Sequence, residues 1–245
     1  MDAQGQLHRT NVTSGFHVVW PNGATTPLGL NEERESDMAV LYTSVIGPNT
    51  RAYGGRELVL GGQTNGPWLP LQIGKTYAAV VKGVNERGNT PVARTTMVLS
   101  IGPSLLSHLP KVTNGSVLHI SMATSPDLTG ATMGMGGGPT LVASGKPWHW
   151  PGFWQLRHPR SAIGWNKDFI FMVEVDGRQI DSIGMTFAEL ATYMIKLGCE
   201  EAINLDGGGS ATLWVDGRVV NNPSQGYERP SANSVVLMER PRKQP

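Results

Sequence analysis

Seven residues with the sequence Asn204-Leu-Asp-Gly-Gly-Gly-Ser210 bring together a carboxylate, a side-chain amide, a hydroxyl and several backbone N–H groups. Three consecutive glycines lose packing and backbone entropy, but they permit positive φ angles and close approach of a ligand to bare backbone amides. One glycine is enough for a turn, so Gly207, Gly208 and Gly209 beside Asp206 favour a binding site over a simple turn. No Lys-Ser or Lys-Thr follows them, which excludes a P-loop.

Further candidate groups lie upstream of this stretch. Gly137 and Gly138 belong to a second glycine cluster, and two such clusters in one chain suggest loops that meet over one ligand. Arg160 stands at the entry to a predicted strand, where its planar fork of donors suits an anion; the alternative is a surface ion pair.

A metal site would have to be built from Asp206, Asp176 and His158. No His-x-x-x-His pattern and no cluster of Asp residues supports it. We therefore predict neither a metal nor a cofactor.

One helix with clear start and stop signals precedes the glycine-rich stretch. Thr186 and Glu189 form a capping box, and apolar residues then recur at helical spacing until Gly198 ends the helix. The helix is predicted at about residues 186–197, with its residues acting as scaffold. Cys199 follows it and is predicted to be a buried structural thiol.

Short apolar runs between Gly- and Pro-rich connections predict many strands. The most apolar of them, residues 169–175, is expected at the centre of a sheet. Residues 176–177 and 216–217 are Asp-Gly hairpin turns, and residues 234–238 are a closing strand. The predicted fold class is α+β: a mixed, strand-rich sheet with long loops and one amphipathic helix. We expect a single domain over 1–245, with weak patterning at 1–36 and a tail at 241–245.

Composition excludes several classes of function. The chain has 245 residues, 39% of them hydrophobic, and a net charge of +1, which gives no reason to expect nucleic acid as a partner. No stretch reaches the roughly 18 apolar residues of a membrane span, and the first residues lack a signal-peptide pattern. The oligomeric state is left open.

Residues 147–165 are the most aromatic segment and hold four of the seven Trp residues. Aromatic rings on a loop stack on sugars, or they pin the loop to the core. Both interpretations stay open for Trp148, Trp150, Phe153, Trp154 and Trp165.

Several motifs follow one another in a recognisable order along the chain: Gly136-Gly-Gly-Pro139, His158-Pro-Arg160, Asp176-Gly-Arg178, Gly184-Met-Thr186 with Glu189-Leu-Ala191, Asn204-Leu-Asp-Gly-Gly-Gly-Ser210, Glu228-Arg229 and Asn233. This order closely resembles the phosphodiester glycosidase family, most strongly over about residues 130–240. Family members usually carry an upstream Asn-Gly-Gly-Phe-Phe-like motif, which this sequence does not contain, so we expect it to lack the family's N-terminal segment.

The resemblance implies hydrolysis of a sugar-1-phosphodiester, such as an N-acetylglucosaminyl phosphodiester or a similar cell-surface glycan. Asp206 would be the nucleophile or general base, and His158 an acid or a phosphate donor. Asp176 would be the second carboxylate or only a turn residue. The substrate-binding residues implied are Arg160, Arg178, Arg229, Asn204, Ser210, Gly137, Gly138 and the amides of Gly207, Gly208 and Gly209.

The family also implies an extracytoplasmic or secreted location. The alternative function is a non-catalytic carbohydrate- or cell-wall-binding module on the same scaffold. The loop Trp residues and the missing upstream segment motivate this alternative.

Overall fold

The computed structural model of the chain describes residues 1–63, 71–150, 156–231 and 233–238. They form two units, Met1–Met133 and Gly134–Pro245, which we call the amino-terminal and carboxy-terminal units. Large sheets and one main α-helix confirm the predicted α+β class. The single domain over 1–245 stays a prediction.

The amino-terminal unit is an eight-stranded sheet with the order β2-β1-β8-β6-β5-β7-β4-β3, antiparallel except between β3 and β4. Successive side chains of a strand point to opposite faces of the sheet, and this explains which residues form its core. In β8, Leu118 and Ile120 are buried, while His119 between them is exposed. The strands are β1 (Thr13–Val19), β2 (Thr25–Pro27), β3 (Gly29–Leu30), β4 (Ala39–Tyr42), β5 (Arg56–Gly62), β6 (Thr76–Asn85), β7 (Met97–Ile101) and β8 (Val117–Ser125).

The carboxy-terminal unit has a five-stranded antiparallel sheet with the order β10-β9-β13-β11-β12, and a separate hairpin formed by β14 and β15. Its elements are β9 (Thr140–Ala143), β10 (Lys146–Pro147), β11 (Arg160–Trp165), β12 (Ile170–Val175), α1 (Phe187–Lys196), β13 (Glu201–Asn204), β14 (Trp214–Val215) and β15 (Arg218–Val219).

Helix α1 covers one face of the five-stranded sheet. Its buried residues Phe187, Leu190, Ala191 and Met194 pack with apolar residues of β9, β11 and β13. The predicted capping box is confirmed, because Thr186 Oγ1 accepts a hydrogen bond from the Glu189 N–H and the Glu189 carboxylate accepts one from the Thr186 N–H. Cys199 is buried in the same core, as predicted, and burial raises the pKa of its thiol to about 11.

Three details of the strand prediction are wrong. Strand β12 lies at the edge of the described sheet and not at its centre, since the apolar character of a strand does not determine its place in the strand order. No strand follows Asp176-Gly177 before α1, so this pair does not turn a hairpin. Residues 234–238 form no strand, and Val236, Leu237 and Met238 are exposed.

The other predicted hairpin, β14–β15, is confirmed. In the part of the chain that the structure describes, no helix is long and apolar enough to cross a membrane.

Candidate active site

A cavity of about 390 Å³ opens at one end of the five-stranded sheet. The topology explains why its residues meet there: neighbouring strands are antiparallel, so the starts of β9 and β11 and the ends of β12 and β13 share one edge. Most of the residues predicted for the site follow or precede those strand ends. The lining residues are Gly137, Gly138, His158, Arg160, Arg178, Asn204, Leu205, Asp206, Gly207 and Gly208.

Asn204 joins the two glycine clusters. Its Nδ2 donates to the Gly138 carbonyl (2.9 Å), its own carbonyl accepts from the Gly138 N–H (2.8 Å), and its N–H donates to the Pro139 carbonyl (3.0 Å). The side chain is buried, and its Oδ1 has no partner among the described residues. Asn204 therefore fixes the cavity wall and keeps one acceptor unsatisfied.

Asp206 is the exposed carboxylate of the cavity. Its Oδ1 accepts from the Gly207 N–H at 2.9 Å, and the Gly208 N–H donates to the Pro159 carbonyl at 2.9 Å. Both amides thus donate within the protein, and phosphate binding by Gly207 and Gly208 stays a prediction. A side chain at position 207 would lie 2.7 Å from the Pro159 carbonyl oxygen, so glycine is needed there for close approach.

Arg160 brings a buried positive charge to the cavity. Its Nε donates to the Met185 carbonyl (3.0 Å), its Nη2 donates to the Leu156 carbonyl (2.8 Å), and its guanidinium carbon lies 3.9 Å from the centroid of the Phe187 ring. No carboxylate of the described residues pairs with it. Burial, with a contribution from Arg178, lowers the pKa of Arg160, which remains charged. An unpaired buried cation favours an anionic ligand.

His158 and Arg178 form the other side of the cavity. The Arg178 Nη2 lies 3.2 Å from the His158 Nδ1. Burial lowers the pKa of His158, and the charges of Arg178 and Arg160 lower it further. The His158 backbone is fixed by two hydrogen bonds to Met185, at 3.3 and 3.1 Å.

Four of the predicted site residues do not line the cavity. The Asp176 carboxylate accepts hydrogen bonds from Asn221 Nδ2 (3.1 Å) and from the Asn222 N–H (3.0 Å). Ser210 Oγ accepts from Arg229, and Gly209 is buried beside Arg229. These groups link loop segments of the carboxy-terminal unit to one another, and substrate contacts by them stay predictions.

Sequence reasoning gave no role at the site to Gly184, Asn221 or Glu174, and Gly184 entered it only as part of a family motif. Gly184 has a φ of +86°, and a side chain there would lie 2.4 Å from the His158 carbonyl oxygen, so only glycine fits beside that backbone. Asn221 follows a hairpin, with no local signal of its contact with Asp176. The only sequence signal at Glu174 is a carboxyl group within an apolar strand. Burial, with repulsion from Asp176, raises the pKa of Glu174 to about 7.

The aromatic segment is partly described. Trp150 Nε1 donates to the Thr140 carbonyl (2.9 Å), and its ring packs on Phe187 with centroids 6.3 Å apart, so Trp150 pins the chain to the core. Trp148 is 47% exposed. Phe153 and Trp154 lie outside the described residues. Among the residues that the structure does describe, no group of three or more His, Cys, Asp and Glu is placed to hold a metal ion.

The sequence profile of the phosphodiester glycosidase family matches residues 73–238, about two thirds of the chain. The prophage-derived uncharacterized protein YomE of Bacillus subtilis (strain 168) is 37% identical over 83 residues, which are 34% of this chain and 13% of that protein. The N-acetylglucosamine-1-phosphodiester alpha-N-acetylglucosaminidase of Bos taurus is 34% identical over 93 residues, 35% of this chain and 18% of that enzyme. The matched part is thus less than a fifth of either relative.

Two solved structures share the fold. A hypothetical protein from Synechocystis matches 92% of this chain and 42% of its own, with a TM-score of 0.66 and 20% identity. A protein named "Putative exported protein", from Burkholderia pseudomallei K96243, matches 87% of this chain and 51% of its own, with a TM-score of 0.60 and 21% identity.

Proposed function

The chain belongs to the phosphodiester glycosidase family, and from this premise we propose that it hydrolyses a sugar-1-phosphodiester to the free sugar and a phosphomonoester. One observation carries the proposal: a single cavity places the exposed carboxylate of Asp206 among the cations Arg160 and Arg178 and the imidazole of His158. A phosphodiester needs an anion-binding surface, and a glycosidic bond needs a carboxylate beside the anomeric carbon.

We expect the positive and negative side chains of the cavity to contact different parts of the substrate. Arg160, held against Met185 and Phe187, would attract the phosphodiester anion, and Arg178 would bind it from the exposed side. Asp206 would either attack the anomeric carbon as the nucleophile or, as the general base, take a proton from a water that attacks this carbon. Phosphate is a good leaving group, so strong proton donation to it matters less than in ordinary glycosides.

The cavity's size is compatible with a sugar phosphate. Its volume of about 390 Å³ falls within the range of about 300–1,000 Å³ that is usual for small-molecule sites. N-acetylglucosamine is the sugar we propose, because the name of the bovine relative specifies it. An exported location is supported by the name of the Burkholderia pseudomallei protein that shares the fold.

The test is sugar release by the 245-residue chain from a synthetic N-acetylglucosamine-1-phosphodiester and from UDP-N-acetylglucosamine. Asp206→Asn should lower kcat/KM by at least about 1,000-fold, as loss of a reacting group does in other hydrolases, without unfolding the protein. Asp216→Asn is the matched control, since Asp216 is exposed in the β14–β15 turn and should leave the rate unchanged. A chelator should not change it either.

Two results would contradict the proposal. Equal rates for Asp206→Asn and the parent chain would remove Asp206 from the mechanism. A folded parent chain that binds the phosphodiester, followed by Trp fluorescence, but releases no sugar would instead favour the carbohydrate-binding alternative.

A further inference from the structure

The contact between His158 and Arg178 constrains where the imidazole carries its proton. The guanidinium is always protonated and has only donors, so at 3.2 Å from Nδ1 it acts as the donor. The His158 Nδ1 must then be the acceptor, which leaves the ring proton on Nε2. No residue described by the structure bonds Nε2, so this N–H is available to a ligand in the cavity that His158 lines.

The loop that carries Arg178 is fixed at both ends. Asp176 is tied to Asn221 and Asn222 through its carboxylate, and the Ser182 hydroxyl donates to the Asp176 carbonyl at 2.6 Å. Arg178 itself has a φ of +59°, a conformation that non-glycine residues seldom adopt. This backbone directs the guanidinium against Gly208, where a Cβ would lie 3.3 Å from both Nη atoms.

The imidazole is equally constrained. The backbone of His158 is bonded in both directions to Met185 and packs against Gly184. Hydrogen bonds within the protein thus hold the backbone of both segments where Nδ1 and the guanidinium meet.

We propose that Arg178 is a positioning residue that holds His158 as the neutral tautomer with its proton on Nε2. His158 then serves the cavity as a fixed hydrogen-bond donor to a phosphoryl oxygen, and not as a base or as a proton-releasing acid. The second statement rests on the proposed function, whereas the first does not.

The charges that face the imidazole agree with a neutral ring. Arg178 and Arg160 both disfavour a positive charge on it, and burial acts in the same direction by lowering the pKa of His158. Asp206 is the carboxylate among the lining residues and acts in the opposite direction, but it is exposed. The neutral form should therefore prevail at pH 7.

The test is nitrogen-15 NMR of the imidazole side chains in the ligand-free chain between pH 6 and 8. The chain has six His residues, so His158→Gln identifies the signals of His158. The parent should show one tautomer, with an unprotonated Nδ1 and a protonated Nε2. Arg178→Gln should give a mixture of tautomers and a higher pKa for His158. Arg229→Gln, which removes a cation that contacts Ser210 and does not line the cavity, should keep the parental tautomer.

Inorganic phosphate probes the donor role in the same samples. It should shift the Nε2 resonance of the parent. Because Arg178 is itself proposed to bind phosphate, the tautomer, and not the size of this shift, tests its positioning role. A protonated Nδ1 in the parent, or an unchanged tautomer in folded Arg178→Gln, would overturn the proposal. A locked tautomer in a chain that releases no sugar would support the positioning role and count against the proposed function, so the two can fail separately.

Discussion

Arg160 shows how much of a single residue's role depends on contacts outside its own segment. The sequence placed it at the entry of a strand and left open an anion clamp or a surface ion pair. The structure buries it, because the Met185 carbonyl and the Phe187 ring arrive from the region before and within α1. Its residue type was informative, but its burial could not be predicted from its neighbours in sequence.

Glu174 should make stability depend on pH. Its ordinary pKa is 4.5, and burial raises it to about 7 in the folded chain. Between these values the unfolded chain releases a proton that the folded chain retains, so the free energy of unfolding falls as the pH rises through this window. Glu174→Gln stays neutral, so the Tm of the variant relative to the parent should increase from pH 4.5 to pH 8. Each kcal/mol corresponds to about 2–4 °C.

Thermal unfolding at both pH values measures this effect. Glu200→Gln is the control, since Glu200 is exposed and its loss should leave the parental pH dependence in place. A Glu174→Gln variant whose Tm follows that of the parent at every pH would show that this carboxyl does not carry the effect.

Helix α1 was predictable because its signals are local. Thr186, Glu189 and Gly198 specify its ends, and the apolar spacing specifies its buried face. Strand order was not predictable, because β13 pairs with β9 and β11, which lie far from it in sequence, and this leaves β12 at the edge. The same reason hid the role of Asp176, whose partners Asn221 and Asn222 are 45 and 46 residues away.

Thr186→Ala should destabilise the carboxy-terminal unit by about 1 kcal/mol, because the N–H of Glu189 loses its capping oxygen. Denaturant unfolding followed by circular dichroism measures the change. Thr192→Ala is the control: this exposed Thr lies on the same helix and its hydroxyl donates only to the Ala188 carbonyl, so its loss should be close to neutral. If both variants lost the same free energy of unfolding, the capping box would contribute nothing to stability.

The two units have separate hydrophobic cores, and the one cysteine of the chain lies in the second. Cys199 is buried and its thiol has a pKa of about 11, so it should resist thiol reagents at pH 8 in the folded protein. The rate of labelling should then report the opening of the carboxy-terminal unit. Denatured chain, in which one thiol reacts completely, sets the reference rate. Rapid labelling of the folded chain would contradict the buried position of Cys199.

All strands of the eight-stranded sheet lie between residues 13 and 125, and all strands of the five-stranded sheet lie between residues 140 and 204. Among the described residues, neither sheet takes a strand from the other, so each completes its pairings within its own stretch of chain. Synthesis proceeds from the amino terminus, and successive folding units usually fold in that order. Asp206, the carboxylate that we propose to react, is therefore added to a chain that already contains every described strand of the larger sheet.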